Sequence, residues 1–174
     1  MHINVSSDDL ASIGREIESR LGSIPCLSDM SIGVDLLDSF DELPEALTSE
    51  AIRYSPAVYR RSTGTVLVNR ATFPFDPDST ASALAILSHE IAHAYRHQGG
   101  TVHDELQTWG LGEDEKVDFL LCEWGLHSEL KSERGSANSY GSEYCDALDC
   151  WRDPKEYCNR MSRFRMKRLS GQGG

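Results

Sequence analysis

The chain contains no stretch approaching the roughly 18 uninterrupted apolar residues of a membrane span, so a spanning helix is not expected. Its opening residues, Met1-His2-Ile3-Asn4-Val5-Ser6-Ser7-Asp8-Asp9, have neither a basic segment nor an apolar core, which reads as an unexported, cytoplasmic protein. Positive charge is short. Lys and Arg number 17 against 28 Asp and Glu, and the formal charge of −11 would repel a phosphate backbone, arguing against general nucleic-acid binding. Cysteine is sparse and odd in number: Cys26, Cys122, Cys145, Cys150 and Cys158 suit reduced thiols better than a disulfide framework. The last three, spaced C-x4-C-x7-C, lack the C-x2-C knuckle of a structural zinc site, although pairing or a second metal remains open to them. Internal repeats and long low-complexity tracts are also missing. At 174 residues the chain can bury a core without staples, and the default is one domain over 1–174.

What is present begins with local signals. Ser7-Asp8-Asp9 caps a first helix in which Leu10, Ile13, Ile17 and Leu21 recur at the spacing of a buried stripe. Residues 32–37 read as a strand and 44–54 as a short helix. Ala57-Val58-Tyr59-Arg60-Arg61 and Thr65-Val66-Leu67-Val68-Asn69 flank Ser62-Thr63-Gly64, a three-residue connection ending in Gly that predicts a β-hairpin. Near the other end, Arg152, Lys155, Arg160, Arg163, Arg165, Lys167 and Arg168 face only Asp153 and Glu156. Together with Tyr157, Met161, Phe164 and Met166, and with Asp153-Pro154 as a start signal, they predict a basic amphipathic helix packed on an acidic body.

The densest chemistry lies at Ser88-His89-Glu90-Ile91-Ala92-His93, which contains H-E-x-x-H inside an apolar helical pattern. Leu84, Leu87, Ile91 and Ala94 keep helical spacing, Asp76-Pro77-Asp78-Ser79 supplies the start, and Gly99-Gly100 the stop. Four helical residues advance about 400° and about 6 Å, so His89 and His93 share a face and can reach one ion about 2 Å from each ring nitrogen. Glu90 stands about 100° around from His89, where a general base for an activated water belongs. A lone helical histidine is more often a satisfied core or surface group. The pair with Glu90 is what favours a metal.

Catalytic zinc needs a third protein ligand. His97 continues the series, but eight residues of helix carry it about 12 Å from His89, too far to close on the same ion. The acids of a helix predicted from Glu113 to about Leu130, after the Gly110-Leu111-Gly112 break, are better placed. On its wheel Lys116, Glu123 and His127 mark the solvent side, while Asp114 and Asp118 lie opposite. Asp118 sits within Val117-Asp118-Phe119-Leu120-Leu121-Cys122, where a carboxylate is costly unless a metal or hydrogen-bonded partner compensates it. The ligand expectation therefore falls on His89, His93 and Asp118, with Asp118 as orienting acid and Asp114 or Glu115 on the metal as the alternative. Residues 132–142, rich in Ser, Gly and Asn, read as a mobile loop.

With the motif helix and an acid-bearing helix after it, residues 57–130 resemble the zincin metallopeptidases, especially small gluzincin-like domains. The resemblance implies an α+β, zincin-like fold with a small sheet packed on the motif-bearing helix and further helices around it. It makes His89 and His93 zinc ligands and Glu90 the general base for hydrolysis of peptide bonds in a peptide or protein substrate. The family's E-x-x-x-D pattern appears here as Asp114-x-x-x-Asp118, and on that spacing Asp114 binds while Asp118 orients a histidine. The alternatives are a zinc-binding regulatory or interaction module with little turnover, or a zinc hydrolase acting on a non-peptide bond.

Overall fold

A computed structural model describes residues 1–44, 50–136 and 140–171. The chain divides into two compact units, Met1–Gly100 and Thr101–Gly174. The boundary falls at the Gly99-Gly100 stop, within the 57–130 stretch that carries the family resemblance.

The first unit opens with strand β1, His2–Val5, and helix α1, Asp8–Leu21. Ser7 caps α1 as expected, its hydroxyl accepting from the Asp9 N–H at 3.3 Å. Leu10, Ile17 and Leu21 are buried, and Ile13 is half-buried at the edge of the stripe. Strand β2 is Ser31–Leu37, a short helix α2 is Glu50–Arg53, and β3, Ala57–Arg60, and β4, Thr65–Asn69, form the expected hairpin. Gly64 closes that hairpin at φ +70°, a left-handed conformation that a Cβ would strain. Of the short helix expected over 44–54, residues 45–49 lie outside the described residues.

The sheet order is β1-β2-β4-β3, with β1, β2 and β4 parallel and β3 antiparallel at one edge. β4 is central, which explains why its Val66, Leu67, Val68 and Asn69 are all buried. Asn69 is satisfied there: its amide donates to the Arg53 and Ser55 carbonyls at 3.1 and 3.3 Å and accepts from Ala71 N–H at 3.1 Å. Helix α3, Thr80–His97, carries the motif and packs on β3, β4 and α1. Its Leu84, Leu87, Ile91 and Ala94 are at most 2% exposed. The architecture of this unit is α+β, a small mixed sheet packed on the motif-bearing helix.

The second unit is helical: α4 Asp104–Thr108, α5 Glu113–Glu123, α6 His127–Ser136, α7 Gly141–Leu148 and α8 Pro154–Leu169. The helix expected to run to Leu130 breaks at Trp124-Gly125, where Gly125 takes φ +84°. The loop expected over 132–142 is helical through 136 and again from Gly141, while residues 137–139 lie outside the described residues. The basic terminal helix forms as expected. Asp153 caps it through bonds from Lys155 and Glu156 N–H at 3.1 and 3.3 Å, with Pro154 in the first turn. Tyr157, Cys158, Met161 and Phe164 are buried against α4 and α7, whereas Met166 is 63% exposed and does not belong to the stripe. Edge-on ring contacts tie this core together, Phe119 on Tyr157 at 5.0 Å and Tyr144 on Phe164 at 5.1 Å between centroids. Among the described residues no helix is long and apolar enough to cross a membrane.

Candidate metal centre

The apolar stripe of α3 fixes the rotation of the helix, and that rotation fixes the histidines. Burial of Leu84, Leu87 and Ile91 leaves His89 only 9% exposed and His93 half-buried. Their Nε2 atoms point at each other across 3.1 Å, and the rings meet edge to face at 78°. Two imidazole lone pairs held that close repel unless a proton or a cation lies between them. Zinc bonds of about 2.0–2.1 Å at a tetrahedral angle place two nitrogens about 3.3–3.4 Å apart. The pair therefore fits zinc with an adjustment of a few tenths of an ångström, on the order of ordinary side-chain freedom.

Glu90 faces the edge of the sheet. Its Oε2 accepts from the Tyr59 backbone N–H at 2.6 Å. Tyr59 stands opposite Val66 in the hairpin register, and its N–H points away from β4, as in the non-hydrogen-bonded pairs of an antiparallel ladder. The motif acid thus lies along the open side of the one antiparallel strand. His97 is elsewhere: its Nδ1 pairs with the Tyr59 hydroxyl at 2.9 Å, in keeping with its role as a helix-end group rather than a ligand.

Asp118 is fully buried, as its apolar neighbours required. Its compensating partners lie in its own unit. Arg134 donates from Nη2 to Asp118 Oδ1 at 2.8 Å and from Nε to Oδ2 at 2.9 Å, and the Tyr144 hydroxyl donates to Oδ2 at 2.5 Å. Burial alone would lower the Arg134 pKa, but the Asp118 charge and hydrogen bonds outweigh it and hold the guanidinium above its usual range. Burial, reinforced by Asp118, likewise keeps the Tyr144 phenol protonated. The physical ground for expecting Asp118 on a metal was an uncompensated buried charge, and this bidentate pair supplies that compensation.

The other acids sort by environment. Glu115 is half-buried with Arg165 Nε at 3.5 Å, Glu123 is exposed on the solvent side as its wheel position indicated, and Asp114 is exposed in the first turn of α5. The remaining polar rings of the second unit have structural contacts. His103 caps α4, His127 lies 3.2 Å from Asp149, and Tyr140 lies under Arg134 at 4.6 Å. All five cysteines are free thiols. Sequence reasoning missed Tyr59 and Arg134. The hairpin alternation puts Tyr59 on the α3 face and was a usable signal; Arg134 lay in a segment read as loop, which hid it.

No protein-family profile, curated protein or solved structure matches the chain.

Proposed function

We propose that the protein is a zinc-dependent peptidase of zincin-like fold, with His89 and His93 as ligands and Glu90 as general base. The observation that carries this reading is the pair of Nε2 atoms 3.1 Å apart on one helix face, with the Glu90 carboxylate beside an edge strand. For the third ligand we propose Asp114, on the sequence spacing of the resembled family's binding acid. Asp114 is exposed in the first turn of α5.

When bound, zinc would acidify a water molecule and polarise the scissile carbonyl. Glu90 accepts the proton of the attacking water and returns it to the departing amide nitrogen, so one carboxylate serves as base and then acid. An extended peptide lying along the outer edge of β3 would pass beside Glu90, which favours a peptide substrate over a small non-peptide one. Recognition through main-chain groups is largely indifferent to side chains, which suits a peptidase acting on unfolded segments.

Hydrolysis of a casein-type substrate by zinc-loaded protein, compared with Glu90→Gln, tests the reading. The amide keeps the shape but cannot accept a proton, so activity should fall by about 10²- to 10⁴-fold with zinc retained. Full activity in the metal-replete variant would remove Glu90 as the base. A wild-type protein that binds zinc without turnover would favour a binding module, and loss of zinc from Glu90→Gln would favour a structural role for that acid.

A further inference from the structure

We propose that Tyr59 is a positioning residue, which with His97 clamps the edge strand β3 to the motif helix and holds the Glu90 carboxylate at its working place. The inference rests on the peptidase reading for its catalytic consequence and on the first unit alone for its geometry. Tyr59 is 9% exposed and meets α3 at two points. Its backbone N–H donates to Glu90 Oε2 at 2.6 Å, and its hydroxyl pairs with His97 Nδ1 at 2.9 Å, with ring centroids 5.8 Å apart. Glu90 and His97 are seven positions apart, about two turns and about 10 Å of helix, so they fall on one side of α3. One tyrosine spans both positions, its main chain at one and its side-chain tip at the other.

Two anchors separated along the helix axis fix more than one would. Pairing with β4 holds the inner side of β3, and the Glu90 bond alone would leave its outer side free to tilt against α3. The second bond at His97 restrains that tilt, so the Tyr59 N–H that orients the carboxylate keeps its place. A general base must be within hydrogen-bond reach of the proton it removes, and small misplacements are costly in rate. The same clamp explains His97, the third histidine of the i, i+4 series, which has no place on an ion shared by His89 and His93.

The test uses the full chain and two readouts. Amide hydrogen exchange at residue 59, followed by NMR in metal-free protein, reads the clamp without activity. His97→Ala should speed exchange at the Tyr59 amide by about 3- to 10-fold, the factor worth one net hydrogen bond, while the Val66 and Val68 amides in the sheet keep their protection. In zinc-loaded protein, Tyr59→Phe and His97→Ala should each lower kcat by about 3- to 10-fold with KM and zinc content unchanged. The double variant should be no worse than the poorer single one, because both remove the same bond. His97→Asn, whose amide can occupy the place of Nδ1, should recover most of the loss. Unchanged Tyr59 exchange in His97→Ala, multiplying effects in the double variant, or wild-type kcat in both singles would each overturn the proposal. A wild-type protein without peptidase activity would instead overturn the peptidase reading, and the exchange measurement would then decide the clamp by itself.

Discussion

Substituting Asp114 and Asp118 separates metal binding from folding, because the two carboxylates have opposite environments. Asp118 has 0% side-chain exposure and Arg134 15%, and three hydrogen bonds converge on the carboxylate. Asp118→Ala leaves a buried guanidinium without its counter-charge, and breaking a buried pair in this way costs about 3–5 kcal/mol. For a chain of this size each kcal/mol moves Tm by about 2–4 °C, so the metal-free variant should melt on the order of 10 °C lower. Asp114 is exposed in the first turn of α5, where an acid favours the helix by about 0.3–1 kcal/mol, well below the cost of breaking a buried pair. Asp114→Ala should therefore lower the metal-free Tm by no more than about 4 °C while zinc affinity falls at least about 10- to 100-fold, the loss typical of an outer-shell partner. Calorimetry of the metal-free proteins, paired with zinc competition titrations, measures both quantities. An unchanged metal-free Tm in Asp118→Ala would refute the buried-pair reasoning. Zinc affinity unaffected by Asp114→Ala would remove Asp114 as the ligand.

Ser88 is fully buried on α3, and among the described residues its hydroxyl has no hydrogen-bond partner, so Ser88→Ala should stabilise the protein by about 1 kcal/mol or more in urea unfolding. Thiol reactivity should follow burial and ionisation. Cys26 is exposed and should react first with a disulfide reagent at neutral pH. Cys158 is buried with its thiol pushed up to about 11, mainly by burial and then by the Glu105 charge, and Cys122 is pushed up by burial and Asp118. Since the thiolate is the nucleophile and a raised pKa leaves little of it, both should stay unreacted until the protein unfolds.

The elements legible in the sequence were those specified by their own residues. The Ser7 cap, the Gly64 hairpin, the apolar spacing through Ile91 and the Asp153-Pro154 start each act within a few positions, and each forms where that chemistry places it. Strand β1 was not legible, because His2–Val5 is four residues long and is held by parallel pairing to Ser31–Val34, a partner distant in sequence. The break at Gly125 was masked by Trp124, Leu126 and Leu130, which are all buried and prolong the apolar pattern across it. At the site, the histidine pair followed from helix geometry, and the inward turn of Asp118 followed from its neighbours. The partner of Asp118 did not, because Arg134 comes from a Ser- and Gly-containing segment with weak helical signals, and its distance of 16 positions leaves no local trace. Tyr59 shows the same limit: alternation selects its face, but only the packing of β3 on α3 reveals that its main chain reaches Glu90.

Zinc stoichiometry, read by elemental analysis after titration of the metal-free chain and removal of unbound ion, tests the central claim most directly. The histidine geometry leads us to expect about one zinc per wild-type chain and essentially none in His93→Ala, since two imidazoles and one carboxylate form a zinc donor set and the loss of one imidazole opens it. A folded wild-type protein that takes up no zinc, or a His93→Ala variant that binds it as tightly, would contradict the claim.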